Sequence, residues 1–250
     1  MTFSSAAEKF GFSAEHHGSV GSTNDLAMAS LREKGISGHW VIADQQEGGR
    51  GRLGRVWVSK PGNLYASLAL VDPCDMARGF QLGFVAALSI YDAMITLGVR
   101  SSRLSLKWPN DVLLDDAKLS GILVEGTRLG ETQFGAVIGC GINIAHHPDN
   151  TPYAATDLAA SGINTNCVDV FGALAGAFRH NIDLYAKGSG FSVLRSHWLE
   201  RARGLGGPIV VRERKGERSG VFRGLDEDGR LLLEAEGAVT PVTAGDVFFE

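Results

Sequence analysis

A chain of 250 residues, 44% hydrophobic and 21% charged, has the composition of an ordinary globular protein. It is long enough to bury roughly 70–75% of its unfolded surface in one main domain plus a small one. A formal net charge of -4 argues against a nucleic-acid-binding protein as a whole, since sequence-independent affinity needs clustered Lys and Arg on phosphates.

Cys74, Cys140 and Cys167 are odd in number and far apart. That spacing suggests neither a disulfide framework nor a clustered zinc site, and it suits a reducing cytoplasm. Met1 to Phe12 lacks a basic region followed by an apolar core, and no apolar run approaches the roughly 18 residues that span a bilayer. Secretion and membrane insertion are therefore not expected.

Ser22-Thr23-Asn24-Asp25 supplies N-cap residue types, and Leu26, Ala29 and Ser30 follow at helical spacing until Gly35, which predicts a short helix. His39 to Asp44 and Leu64 to Leu70 read as strands, with Val56 to Ser59 a shorter strand-like run between them. A longer helix, apolar enough to be largely buried, is predicted from Asp75 to Leu97 and closed by Gly98. Strands then dominate at Leu104 to Trp108, Val112 to Leu114, Leu119 to Glu125 and Gln133 to Ile144, with Asp115-Asp116-Ala117 as a tight hairpin turn. Helices return at Ala155 to Ala160, Val168 to Ala186 and Ser192 to Arg201. Strands grouped together, with helices covering one side, indicate an α+β fold with a mainly antiparallel sheet.

Composition changes at Gly204-Leu205-Gly206-Gly207-Pro208, so domains of 1–204 and 205–250 are expected. Beyond that boundary lie short strands at Ile209 to Glu213, Ser219 to Leu225, Arg230 to Glu234 and Ala238 to Val242. Hairpin signals at Lys215-Gly216, Asp228-Gly229 and Glu236-Gly237 separate them, a pattern that suits a small β-barrel. No internal repeat stands out, and the stretch before Ser22 leaves no room for a helix-turn-helix domain.

Gly49-Arg50-Gly51-Arg52-Leu53-Gly54-Arg55 places arginines on a glycine-rich backbone straight after the His39 to Asp44 strand. Gly49, Gly51 and Gly54 satisfy G-x-G-x-x-G, but that fingerprint must open a helix whose N-terminus faces pyrophosphate. The run that follows has no helical period, so an anion here would be held by side chains. An arginine fork binds phosphate or carboxylate bidentately, and each charge-assisted hydrogen bond contributes roughly 1.5–3 kcal/mol. On spacing alone, a solvated basic turn or an RGG-like nucleic-acid tail is the alternative.

Lys107-Trp108-Pro109-Asn110-Asp111 ends a strand in polar residues that Pro109 turns inward, although Asn and Asp also close ordinary turns. Lys118, beside small and apolar strand residues, needs an anionic partner. Gly139-Cys140-Gly141-Ile142-Asn143 is a strand whose glycines admit a ligand or a neighbouring backbone; the alternative is a β-bulge with a capped turn. Cys140 reads as a small buried filler. His16-His17 and His146-His147 lack metal-ligand spacing and read as surface loops.

Taken in order, Ser22-Thr23-Asn24, Gln46 ahead of the arginine loop, Trp57, Lys107 to Asp111, Lys118-Leu119-Ser120-Gly121-Ile122-Leu123 and Gly139 to Asn143 resemble the biotin protein ligases. The resemblance runs from about Ser19 to the end. It implies a catalytic domain related to class II aminoacyl-tRNA synthetases and lipoate ligases, followed by a small SH3-like barrel. The activity it implies has two steps: biotin carboxylate attacks the α-phosphate of Mg-ATP to give biotinyl-5′-AMP, and a lysine of biotin carboxyl carrier protein then takes the biotin.

The same resemblance places Arg50, Arg52 and Lys118 around the biotin carboxylate and phosphate, with Arg55 nearby and Lys107 towards the nucleotide phosphates. Asn110 and Asn143 look like nucleotide or Mg-phosphate contacts, and Trp57 like a wall beside the adenine. Ser22, Thr23, Asn24 and Gln46 resemble the group that binds biotin's ureido ring, with Gly49, Gly51 and Gly121 beside the same ligand. Asp111 would orient Lys107 or help the acceptor lysine lose its proton. A homodimer through a sheet edge is implied for many members. Lipoate or octanoate transfer on the same fold and a non-enzymatic biotin sensor are the rival readings. Two departures stand out: Glu47-Gly48 where the family has Thr-Ala, and the lack of the DNA-binding domain that repressor members carry.

Overall fold

The computed structural model describes residues 1–250 apart from Asn150, Pro152, Lys215 and Glu250. Its larger sheet is built from β1 (Ser13–Val20), β2 (His39–Gln46), β3 (Leu64–Val71), β4 (Leu104–Lys107), β5 (Asp111–Leu114), β6 (Ala117–Leu129) and β7 (Gln133–Ile142). These lie in the order β1-β2-β3-β7-β6-β5-β4. β1 and β2 run parallel and the remaining neighbours antiparallel, so the α+β expectation holds with one parallel pair at an edge. Five helices accompany the sheet among the described residues: α1 (Phe3–Glu8), α2 (Thr23–Lys34), α3 (Leu82–Thr96), α4 (Cys167–Tyr185) and α5 (Phe191–Leu199).

Local chemistry accounts for several boundaries. Ser22 caps α2 through the Asp25 amide, and Gly35 ends it in the left-handed region at φ 61°. Asp115 and Asp116 take φ values of 50° and 63°, the primed turn that matches the twist of the β5–β6 hairpin. The helix predicted from Asp75 divides into a 3-10 turn, Met76–Gln81, leading into α3. Contrary to the sequence reading, Met76–Thr96 is long and apolar enough for a membrane span. However, 78% of that window is buried inside the protein.

Other expectations need correction. Residues 155–160 form no helix, because the Lys118 amide donates to Ala154 O and the Thr156 amide to Lys118 O, tying the segment beside β6. Asp157 instead caps the Ala160 amide at 2.6 Å. Val56 to Ser59 makes only a single bridge, between Val56 and Arg50. His16 and His17 lie on strand β1 and not in a loop.

Alternation along the strands gives the sheet two different faces. Leu64, Ala66, Leu68 and Leu70 of β3, with Ala136, Ile138, Cys140 and Ile142 of β7, point into the main core against α3 and α4. Within that core Trp40 meets Phe171 and Phe178 edge-on at 5.5 and 5.3 Å, an arrangement worth about 0.5–1.5 kcal/mol per pair beyond burial. The other face is not bare, as the expectation of helices on one side implied. Ala27 and Leu31 of α2 pack there on Val41, Ala69 and Val137. Past α2, that face carries Tyr65, Ser67, Gly121, Gly139 and Gly141, aligned across three strands.

A second, antiparallel sheet follows Gly204–Gly207. Its strands are β8 (Pro208–Glu213), β9 (Gly216–Leu225), β10 (Leu231–Ala235), β11 (Ala238–Val242) and β12 (Asp246–Phe249), in the order β11-β10-β9-β8-β12. β12 is an addition to the predicted strands, and the expected Lys215-Gly216 turn includes Lys215, which lies outside the described residues. The sheet docks through its Asp228-Gly229 turn. Trp108 Nε1 donates to Gly229 O at 3.2 Å, and a Cβ on Gly229 would meet Phe84 and Phe191 at 2.9 Å. Through this docking, β12 is held against the open face of the larger sheet.

Candidate active site

The open face holds a cavity of about 420 Å³. Its floor is glycine by necessity. A Cβ on Gly121 or Gly141 would come within 2.9 or 2.6 Å of the Trp57 indole, and one on Gly139 would overlap Asn24 Oδ1. The strand glycines therefore serve close approach of these two side chains.

At one end lies an uncharged pocket. Gln46 Oε1 accepts from the Thr23 amide at 2.8 Å and from Thr23 Oγ1 at 3.0 Å, and Gln46 Nε2 donates to Ser59 Oγ at 3.0 Å. Ser67 Oγ lies 2.8 Å from Thr23 Oγ1 and 2.6 Å from Asn24 Oδ1. Ser22, besides capping α2, lines the same pocket. All of these side chains except Gln46 and Ser59 come from β3 or the first turn of α2, so the helix cap and the sheet together fix their positions.

The arginine loop is a short hairpin arching over the cavity. The Gly51 amide donates to Arg55 O at 2.7 Å and the Trp57 amide to Gly49 O at 2.9 Å. Gly49 sits at its root, where a Cβ would meet Ser59 Oγ at 2.5 Å and Trp57 O at 2.6 Å. Each arginine has a different partner. Arg50 forms a bidentate pair with Asp25 at 2.8 and 2.6 Å and also reaches Glu125. Arg52 Nη1 donates to Asn110 Oδ1 at 3.3 Å and to Gly245 O at 3.2 Å, and Arg55 pairs with Asp246.

Facing the loop, Lys107 and Asp111 are paired across the β4–β5 hairpin. Asp111 lies between two ammonium groups, with Lys118 Nζ at 2.6 Å and Lys107 Nζ at 3.6 Å. Tyr153 covers both lysines, its ring centroid 4.9 Å from Lys118 Nζ and 5.7 Å from Lys107 Nζ, and Trp57 flanks Lys118 at 5.6 Å. Asn110 Nδ2 donates to Ile122 O at 2.6 Å, which leaves its Oδ1 for Arg52.

Burial pulls the Lys107 ammonium below its ordinary range, with Asp111 opposing that shift. Burial likewise lowers the Arg52 guanidinium against the pull of Asp246 and Asp111. Burial by itself would raise the Asp246 carboxyl, but hydrogen bonding to Arg55 and the charges of Arg55, Arg52 and Lys107 hold it below the usual carboxylate range. For Asp25 the Arg50 hydrogen bond is the main cause of a lowered value. The site thus concentrates cations in a partly desolvated space where they act strongly on an entering anion.

Nearly all the residues singled out from sequence meet in this cavity, including Gly51 and Gly121. Gly49 and Asn143 stand outside its wall. Asn143 is buried, with its amide donating to Leu119 O and its Nδ2 to Thr156 O at 3.0 Å, so it staples the segment that carries Tyr153. Glu47 is exposed and accepts from Ser19 Oγ at 3.2 Å, away from the cavity. Tyr153, Arg212, Asp246 and Phe248 line the wall without having been singled out. Phe248 carries Arg212 over its ring at 4.1 Å and Lys107 at 5.5 Å. No local pattern marks these residues: the second sheet brings in Arg212, Asp246 and Phe248, and Tyr153 comes from the irregular segment tied beside β6.

A neutral donor-and-acceptor pocket next to clustered cations on an α+β sheet suits the meeting of a small carboxylic acid with a polyphosphate, as in the ligases that activate such acids. The chain belongs to the Biotin/lipoate A/B protein ligase family, whose sequence pattern matches residues 19–143, and the Biotin protein ligase C terminal domain pattern matches residues 204–250. A biotin–[acetyl-CoA-carboxylase] ligase from Paracoccus denitrificans is 38% identical, over 91% of this chain and 97% of its own length. One from Mycobacterium tuberculosis is 31% identical over 91% and 85%. A biotin protein ligase from Aquifex aeolicus, solved with biotin and ATP, superposes with a TM-score of 0.78 at 27% identity, covering 94% of this chain and 97% of that one.

Proposed function

We propose that this chain is an ATP-dependent ligase that activates biotin as biotinyl-5′-AMP and transfers it to a lysine of the biotin carboxyl carrier protein of acetyl-CoA carboxylase. One observation carries the reading: the uncharged Ser22, Thr23, Asn24 and Gln46 side chains and the Lys118–Asp111–Lys107 and Arg52 cluster line one cavity. A ureido ring needs both donors and acceptors, and two anions meet only where cations offset their repulsion.

In the first step a biotin carboxylate oxygen attacks the α-phosphorus and pyrophosphate leaves. Lys118 and Arg52 face the carboxylate and α-phosphate, with Arg50 beside them at the loop root in its pairs with Asp25 and Glu125, while Lys107 and Arg55 lie towards the leaving phosphates. Trp57 and Asn110 flank the nucleoside, and Gly51 and Gly121 let the ligand approach the backbone. Mg²⁺ enters on the triphosphate as part of the substrate. In the second step the acceptor amine attacks the acyl carbon and AMP leaves. Asp111, between both lysines, orients them or takes up the amine's proton.

The reading divides the chain into a ligase domain, 1–204, and an SH3-like domain, 205–250. It places the reaction in the cytoplasm without nucleic-acid or membrane partners, and it allows a homodimer through an edge strand of the larger sheet. Incubation with biotin, Mg-ATP and apo carrier protein tests it. The expected result is a carrier heavier by one biotinyl group on a single lysine; an unmodified carrier that accepts a lipoyl or octanoyl group instead overturns it.

A further inference from the structure

Glu125 stands on β6 opposite Val137, on the face shared with the cavity but beyond its wall. Two groups converge on its carboxylate. Asn24 Nδ2 donates to Oε2 at 2.7 Å, and Arg50 Nη2 lies 3.0–3.1 Å from both oxygens. A carboxylate only accepts, so the Asn24 amide must turn its NH₂ towards Glu125 and its oxygen towards Ser67. That oxygen accepts from Ser67 Oγ at 2.6 Å, the shorter of the two contacts open to the single Ser67 proton, the other being Thr23 Oγ1 at 2.8 Å, whose own proton goes to Gln46 Oε1.

We infer that Glu125 is a positioning residue that sets the hydrogen-bond polarity of the acyl-acid pocket, through Asn24, while anchoring the root of the arginine loop through Arg50; the inference rests on the function proposed above. The chain of protons runs Ser67 to Asn24 and Asn24 to Glu125. Reversal of the Asn24 amide would turn the buried Ser67 from donor into acceptor and change the pattern that Asn24, which lines the cavity, offers to a ureido head. A site built on such hydrogen bonds discriminates by leaving wrong partners unpaired.

Glu125→Gln is isosteric but can donate, so it permits the reversed amide, opposed only by the long contact of Asn24 Nδ2 to Leu123 O at 3.5 Å. Its effect is read in biotin-dependent pyrophosphate exchange: KM for biotin should rise roughly tenfold, KM for ATP should stay within about twofold, and kcat should change little. The paired variant Asn24→Asp with Glu125→Gln restores polarity by exchange, since the carboxylate introduced on α2 would accept from both Ser67 and the amide introduced on β6. It should recover most of the biotin KM, whereas Asn24→Asp alone opposes two carboxylates and should not. A biotin KM unmoved in Glu125→Gln overturns the inference, as does an equal rise in both substrates' KM or a paired variant no better than Glu125→Gln. If the parent protein shows no biotin-dependent exchange, the proposed function falls first, and the two failures are thereby told apart.

Discussion

Lys118 Nζ lies 2.6 Å from Asp111 Oδ1, while Lys107 Nζ stands 3.6 Å from the other oxygen of the same carboxylate. One acidic side chain thus holds two ammonium groups at the mouth of the cavity before any substrate arrives. The arrangement keeps buried cations paired, as desolvation demands, and leaves them aimed at one space.

Lys118→Ala removes a charge-assisted contact of roughly 1.5–3 kcal/mol, so adenylate formation should fall about 10–100-fold. Quenched-flow measurement of biotinyl-AMP checks this. An unchanged rate would remove Lys118 from the reacting charges.

Burial depresses the Lys107 ammonium below its ordinary value of 10.5. A step that needs this charge is fully supported at low pH and declines as pH rises through the folded value, so the alkaline limb of kcat should lie below pH 10.5. Lys107→Arg keeps its charge at higher pH and should move that limb upward. Stability carries the matching sign: between the folded and ordinary values the unfolded chain binds more protons, so folding strengthens as pH rises. Identical pH profiles for parent and Lys107→Arg would contradict the assignment.

Arg52 ties the loop to Asn110 and to Gly245 of the second sheet. Arg52→Gly should close the lid less often and release adenylate, with free biotinyl-AMP in solution rising about tenfold or more. Retention equal to the parent's would mean that the loop is no lid.

Asp246 is the second sheet's ion-pair partner for Arg55, and it also lies near Arg52. Because Arg55 is half exposed, the pair is weak, on the order of 1 kcal/mol or less. Asp246→Asn should therefore raise adenylate release only about two- to fivefold, and high salt should mimic it. A loss of activity as large as that of Lys118→Ala would give Asp246 a different role.

Elements with local chemical causes were legible in the sequence. Gly35 ends α2 and the Asp115-Asp116 pair turns a hairpin, whereas the strand glycines, expected to admit a ligand or a neighbouring backbone, admit the side chains of Trp57 and Asn24. β1 was not legible, since Ser13–Val20 lacks the β-branched and aromatic run of a typical strand and is held by pairing with β2. The helix expected at Ala155 to Ala160 shows tertiary hydrogen bonds to Lys118 overriding propensity. Asp246 could not be linked to Arg55 from sequence, because 191 positions separate them and only docking of the second sheet brings them together. Asn143, a motif residue, is not part of the cavity lining, and its side chain donates to the backbone of Thr156.

In the proposed function the polar pocket selects biotin for activation by ATP. Pyrophosphate exchange into ATP, measured with biotin and then with lipoate or octanoate as the acid, tests it most directly. Exchange is expected with biotin, and little or none with the acyl acids that lack a ureido ring. Exchange supported by lipoate or octanoate, and not by biotin, would contradict it.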